Sequence, residues 1–177
     1  TITEGVIERV PVPLVRSRIE VTLELDYRRK GLLWYDTYGV AFTGHYAVAN
    51  PTPERRAIHV ELAFPSRDAI YDGFRFAVAG TAAPATNLAS VARVVELGPA
   101  ETVPIEVGYR SRGLDVWHYA FGDGVSQLTD FELTAHTKDS AIDFPAGSMS
   151  PTARADGTSV WKFDSLVAGH DIGIDLP

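Results

Sequence analysis

The stretch "RIEVTLELDYR", Arg18–Arg28, alternates without a fault: Ile19, Val21, Leu23, Leu25 and Tyr27 point one way, Glu20, Thr22, Glu24, Asp26 and Arg28 the other. Successive side chains leave opposite faces of a strand, so this pattern predicts a strand with one buried and one wet face. The same period recurs in "AIHVELAFP" (Ile58, Val60, Leu62 and Phe64 inward; His59 and Glu61 outward) and in "FRFAV" (Phe74, Phe76, Val78). It returns in "TVPIEVGYR" (Val103, Ile105, Val107, Tyr109) and "TDFELTAHT" (Phe131, Leu133, Ala135), then in "VWKF" (Trp161, Phe163) and "DIGIDL" (Ile172, Ile174, Leu176). Turn signals separate these runs: "NPTPE", "FPSRD", "GPAE", "RSRG", "GDG", "FPAGSMSP" and "ADG". "ATNLASVARVVEL" leaves two alternatives, a short helix capped by Asn87 or a further strand built on the β-branched Val91, Val94 and Val95. The expected fold is all-β: an antiparallel β-sandwich, immunoglobulin-like or jelly-roll, with at most one short helix and residues 1–177 as a single domain.

Composition bounds the function classes. Of 177 residues, 45% are hydrophobic and 22% charged, which is ordinary globular usage. The chain has no cysteine, so it forms neither disulfides nor thiolate metal sites. A formal charge of -7 repels phosphate backbones, and nucleic acid is not an expected partner. No run of about 18 apolar residues is present to span a bilayer as a helix, and no signal-peptide pattern opens the chain. The start at Thr1 and the stop directly after the alternating "DIGIDL" suggest a segment of a longer protein.

Two aromatic stretches are candidate ligand surfaces. "GLLWYDTYGVAFTGHYAVANPTPERR", Gly31–Arg56, carries Trp34, Tyr35 and Asp36 near its start. From Tyr38 to Val48 it reads as a strand whose even positions form the aromatic face, while "LLWYDTYG" reads as a loop or a bulged strand end. "LDVWHYAFGDGVSQLTDFEL", Leu114–Leu133, reads as a hairpin around Asp123-Gly124. That register sets Val116 against Phe131 and leaves Trp117 and Tyr119 on the other face, a possible platform for a protein or a saccharide. It also sets Asp115 against Glu132, an unfavourable pairing that a slip of one residue would relieve by turning Trp117 inward.

Reactive chemistry has little support. His118 and Asp115 are three apart, and His170 and Asp171 are adjacent, so on strands each pair splits between faces; no metal site is expected. Ser148 and Ser150 lie in "PAGSMSP" without GxSxG or SxxK, and no phosphate-cradling glycine loop occurs. Neither a cofactor nor a catalytic residue is expected, and the protein is read as not an enzyme.

"YAVANPTPERRAIHVELAFP" and "VVELGPAETVPIEVGY" are similar to bacterial immunoglobulin-like modules, in which a strand ends at an Asn-containing turn and a later one is announced by Leu-x-Pro-x-Glu. The order of "YRRKGLLWYDTYGVAFTGHYAV", "YRSRGLDVWHYAF", "IDFPAGSMSP" and "VWKFDSLVAG" resembles the extracytoplasmic β-rich region of CreD-type inner-membrane proteins. That resemblance implies a domain set between membrane-anchoring segments outside this chain, on the periplasmic or cell-surface side, with no catalytic residues to carry over. The function expected is noncatalytic recognition or structural support for a larger bacterial membrane protein. A carbohydrate-binding module or a jelly-roll glycoside-active domain is the rival, separated by whether aromatic rings stand exposed in a plane.

Overall fold

The computed structural model describes residues 10–64, 69–84, 89–113, 116–122, 126–138 and 141–176, with the side chains of 27–30, 33–36 and 126 outside the description. Among the described residues the secondary structure is all strand and turn, with no helix. In chain order the strands are β1 (Leu14–Lys30), β2 (Leu33–Ala49), β3 (Arg56–Ala63), β4 (Asp72–Val78), β5 (Thr81–Ala82) and β6 (Ser90–Leu97). They continue as β7 (Thr102–Gly113), β8 (Val116–Tyr119), β9 (Ser126–Thr137), β10 (Ala153–Ala155), β11 (Thr158–Ala168) and β12 (Ile172–Asp175).

Eight of them form one sheet in the order β10-β11-β9-β1-β2-β7-β4-β5, and two further pairs, β12-β8 and β3-β6, form small sheets. The large sheet is predominantly antiparallel with one exception, which makes it mixed: β1 runs parallel to β9, Ser17 opposite Phe131 through Leu23 opposite Thr137. Parallel neighbours need a long crossover, and here the whole chain from β2 to β8 supplies it.

The period-two runs behave as expected. Ile19, Val21 and Leu23 of β1, Val103, Ile105 and Val107 of β7, and Phe131, Leu133 and Ala135 of β9 are buried in one apolar core. Ile58, Val91 and Leu97 from the β3-β6 pair, with Trp117, Ile172, Ile174 and Leu176 at the β8-β12 end, complete it. The ambiguous "ATNLASVARVVEL" resolves as β6 over its described part: Val91 and Leu97 are fully buried while Val94 is 58% exposed. Burying alternate β-branched residues outweighs the helix preference of the alanines. "RSRG" is not a turn, since β7 runs on through it to Gly113, held opposite Tyr38.

The turn chemistry is specific where it matters. β1 and β2 meet in a two-residue turn with Gly31 at φ 67, the position a type II′ turn reserves for glycine. In "ADG", Asp156 (φ 46) and Gly157 (φ 73) turn β10 into β11 as a type I′ pair. A Cβ on Gly157 would lie 2.3 Å from the Thr137 carbonyl oxygen, so no other residue fits without displacing backbone.

Chain passage between sheets is fixed by one buried side chain. Asn50 follows β2, and its Nδ2 donates to the carbonyls of Glu54 (2.7 Å), Leu97 (3.0 Å) and Gly98 (3.1 Å). Its Oδ1 accepts from the N–H and the hydroxyl of Thr52. Glu101 closes the other half of the knot by accepting from the Gly98 N–H at 2.7 Å. "ANPTPE" and "LGPAE" therefore form a single joint, where β2 leaves the large sheet for β3 and β6 returns to it as β7.

Candidate binding cleft

β8 does not form the predicted hairpin. Residues 123–125 lie outside the description, but β8 pairs with β12, Tyr119 opposite Ile172 and Val116 opposite Asp175, and not with β9. The reason is that both edges of β9 are occupied, by β1 on one side and β11 on the other. Glu132 stands opposite Arg18 and Lys162 in the large sheet.

This pairing corrects the platform reading of Trp117 and Tyr119. Trp117 is only 6% exposed and belongs to the core. Tyr119 packs edge-on against Phe121 (5.4 Å between ring centroids), and its hydroxyl meets that of Tyr46 at 3.2 Å. Burial pushes the Tyr119 hydroxyl up to about 12, and burial with the neighbouring Tyr119 lifts Tyr46 well above the ordinary 10.0. Tyr109, stacked on Phe42 at 4.9 Å, is raised for the same first reason. Phenols shifted upward stay neutral and act as packing groups that share hydrogen bonds.

Close ring packing depends on missing side chains. A Cβ on Gly44 would lie 2.6 Å from the Tyr46 ring, and one on Gly113 would lie 2.2 Å from the Tyr38 hydroxyl, which donates to the Val116 carbonyl at 2.8 Å. Both glycines let a ring lie flat along a strand and tie the large sheet to β8.

Trp34, Tyr35 and Asp36 sit on β2, their backbones opposite Arg29, Arg28 and Tyr27. "LLWYDTYG" is therefore regular strand rather than a loop, from Leu33 onward. The three side chains lie outside the description, as do Leu114 and Asp115.

The β8-β12 pairing creates a site that sequence reasoning missed. His118 on β8 stands opposite Gly173 on β12. The segment Pro145–Ser148 folds over Gly173, whose added Cβ would lie 3.3 Å from Pro145 and from the Ser148 Cβ. Between these elements opens a 510 Å3 cleft, lined by His118, Ser148, His170 and Asp171 together with Gly122, Gly147 and other loop backbone. Asp171 braces it: Oδ1 accepts from the Phe121 N–H at 3.2 Å and the carbonyl from the Met149 N–H at 2.9 Å. The Ser148 hydroxyl is buried with no protein hydrogen-bond partner. Two imidazoles and a carboxylate thus line one space, a set that can both donate to and accept from a polar ligand. Among the described residues no three His, Asp or Glu side chains converge as a metal site.

The signal for this cleft is not local. "PAGS" reads as a turn and "GHDIGID" as a strand that splits His170 from Asp171, and only the pairing of β8 with β12 brings His118 to them.

No family model matches the chain, and no curated protein sequence does. Among solved structures, a candidate nutrient binding protein from Legionella pneumophila aligns with a TM-score of 0.62 at 13% identity, covering 92% of this chain and 66% of that one. The chain thus spans just under two thirds of that protein's length, and at such identity the likeness is one of fold. An M1 zinc metallopeptidase bound to L-arginine aligns at a TM-score of 0.47, and one from Deinococcus radiodurans at 0.46. Both are 10% identical and align over 93% of this chain and 42% of theirs, a likeness too low to carry an argument.

Proposed function

We propose that this chain is a noncatalytic recognition domain of mixed β-sandwich type, displayed on the extracytoplasmic face of a bacterial membrane as part of a larger protein, and that its β8-β12 cleft takes a small hydroxyl-rich ligand such as a saccharide. The observation that carries the reading is the cleft itself. Each sugar hydroxyl is at once donor and acceptor, which suits His118, His170 and Asp171 arrayed around one 510 Å3 space. The fold likeness to a candidate nutrient binding protein supports a binding role, and the resemblance to CreD-type proteins supports the membrane context. The charge of -7 disfavours nucleic acid.

Amide chemical-shift titration with a panel of mono- and disaccharides tests the cleft. Shifts confined to the surroundings of His118, Gly147 and His170, weakened by His118→Ala with the melting temperature retained, are expected. Shifts absent for every sugar at tens of millimolar, or clustered elsewhere, would overturn the assignment. The location is tested by fusing an export-dependent phosphatase to the full-length protein directly after this segment. Phosphatase activity is the expected result, and an inactive, stably expressed fusion would refute the membrane context.

A further inference from the structure

A second groove lies toward the β5 end of the large sheet, on β2, β7, β4 and β5, and shares no lining residue with the cleft. β4 carries a register shift between Asp72 and Arg75, with Gly73 at φ 58, and resumes pairing with Arg75 opposite Gly108. Gly108 has no side chain to keep the guanidinium off the strand: a Cβ there would lie 3.1 Å from Arg75 Nη2. Arg75 is thereby laid across β7 beside Thr43, His45 and Glu106 in a groove of 560 Å3, walled on its apolar side by Phe74, Ala83 and Pro84.

Part of the charge on this face is paired and part is not, Arg16 and Arg110 being unpaired among the described residues. Arg18, Lys138, Lys162 and Arg112 each have a carboxylate partner, Asp130, Glu24, Glu132 and Asp26 respectively. Among the described residues Arg75 and Glu106 have none, although both line the one groove. A guanidinium and a carboxylate that share a groove without neutralising each other present two separate, opposite charges beside an apolar wall. A bulge that re-aims a cation over a glycine is a device that strands use at binding sites.

We propose that this groove binds a zwitterion with an apolar side chain, an α-amino acid or a short peptide, with Arg75 taking the carboxylate and Glu106 the ammonium group. Arginine suits a carboxylate because its planar fork offers two parallel donors. The volume falls in the range of about 300–1,000 Å3 usual for small-molecule sites. The inference uses no residue of the β8-β12 cleft, so either can fail alone.

Calorimetric titration with leucine and with leucyl-leucine, each beside its N-acetylated and its amidated form, tests it. Binding of either zwitterion is expected, weakened about tenfold or more when one charge is capped. Which of the two binds more tightly separates a free amino acid from a peptide. Arg75→Gln and Glu106→Gln alter exposed side chains, so folding should survive, and each should reproduce the loss seen on capping the matching ligand charge. Lys138→Ala, a remote surface cation, is the control. No heat with either zwitterion at millimolar concentration, binding indifferent to capping, or binding unchanged in both Gln variants would each overturn the proposal.

Discussion

The two faces of the large sheet are made from the same strands and obey different physics. Along β9, Phe131, Leu133 and Ala135 are at most 2% exposed, whereas Glu132 and His136 on the other face reach across to Lys162 and Glu20 at 3.0 and 3.1 Å. Along β11, Trp161 is fully buried and its neighbour Lys162 stands in solvent. Burial removes apolar area from water at about 25 cal/mol per Å2, while an exposed ion pair gains little over its hydrated partners. The inner face should therefore hold nearly all the stability and the outer face be free to carry charges for other ends.

The largest test of that contrast is tryptophan removal. Trp161 fills the core against Phe144 (5.8 Å between centroids) and donates from Nε1 to the Met149 carbonyl at 2.8 Å. Trp161→Ala should cost about 3–5 kcal/mol in urea denaturation, the usual range for emptying a buried aromatic site. Trp117→Ala should approach the same range. A Trp117→Ala loss below about 1 kcal/mol, the scale of an ordinary surface change, would return that ring to the surface role read from the sequence.

Asn50 tests whether the contrast extends to the joint between sheets. It is 2% exposed and serves three carbonyls and Thr52. Asn50→Ala strands the buried Leu97 carbonyl along with the Glu54 and Gly98 carbonyls, and should cost about 2–3 kcal/mol or more. Asn50→Asp should fare no better, because it sets a carboxylate against the same carbonyls. A loss indistinguishable from a surface substitution would mean that water replaces the side chain and the joint is not closed.

How far this was legible in sequence follows the same division. Period-two alternation is local, so the strands and inward residues of β1, β3, β4, β7 and β9 could be read directly. Sheet pairing is not local. Nothing in "DVWHY" says that β9 has both edges filled, so Asp123-Gly124 suggested a hairpin and Trp117 an exposed face. The cleft was lost with it, since His118 meets His170 and Asp171 only through the β8-β12 pair. The Asn-containing turn and the Leu-x-Pro-x-Glu stretch stood out separately as motifs, yet their shared purpose needed Asn50 Nδ2 to reach Leu97 and Gly98.

The inner face also predicts an alkaline limit. Tyr119 is raised from 10.0 to about 12 by burial, and Tyr46 and Tyr109 are raised too. An acid whose folded pKa lies above its unfolded one favours folding fully below pH 10, and that stability is lost as pH rises from 10 through the folded values. Melting temperature should fall over that window, and tyrosinate absorbance should lag behind that of a denatured control. Coincident titration of folded and denatured protein would show these hydroxyls to be in water.

The smallest expected effect lies on the outer face, where Lys162 Nζ meets Glu132 at 3.0 Å with side chains 64% and 32% exposed. The two stand directly opposite in the β9-β11 register, which favours their attraction. Lys162 must surrender side-chain freedom to hold this geometry, and water and salt screen the charge. A double-mutant cycle of Lys162→Ala and Glu132→Ala should give a coupling of about 0.2–1 kcal/mol that shrinks at high salt. A coupling above about 2 kcal/mol that salt leaves unchanged would place the pair in a desolvated setting. The outer face would then be covered in solution, and its charges would belong to an interface rather than to a wet surface.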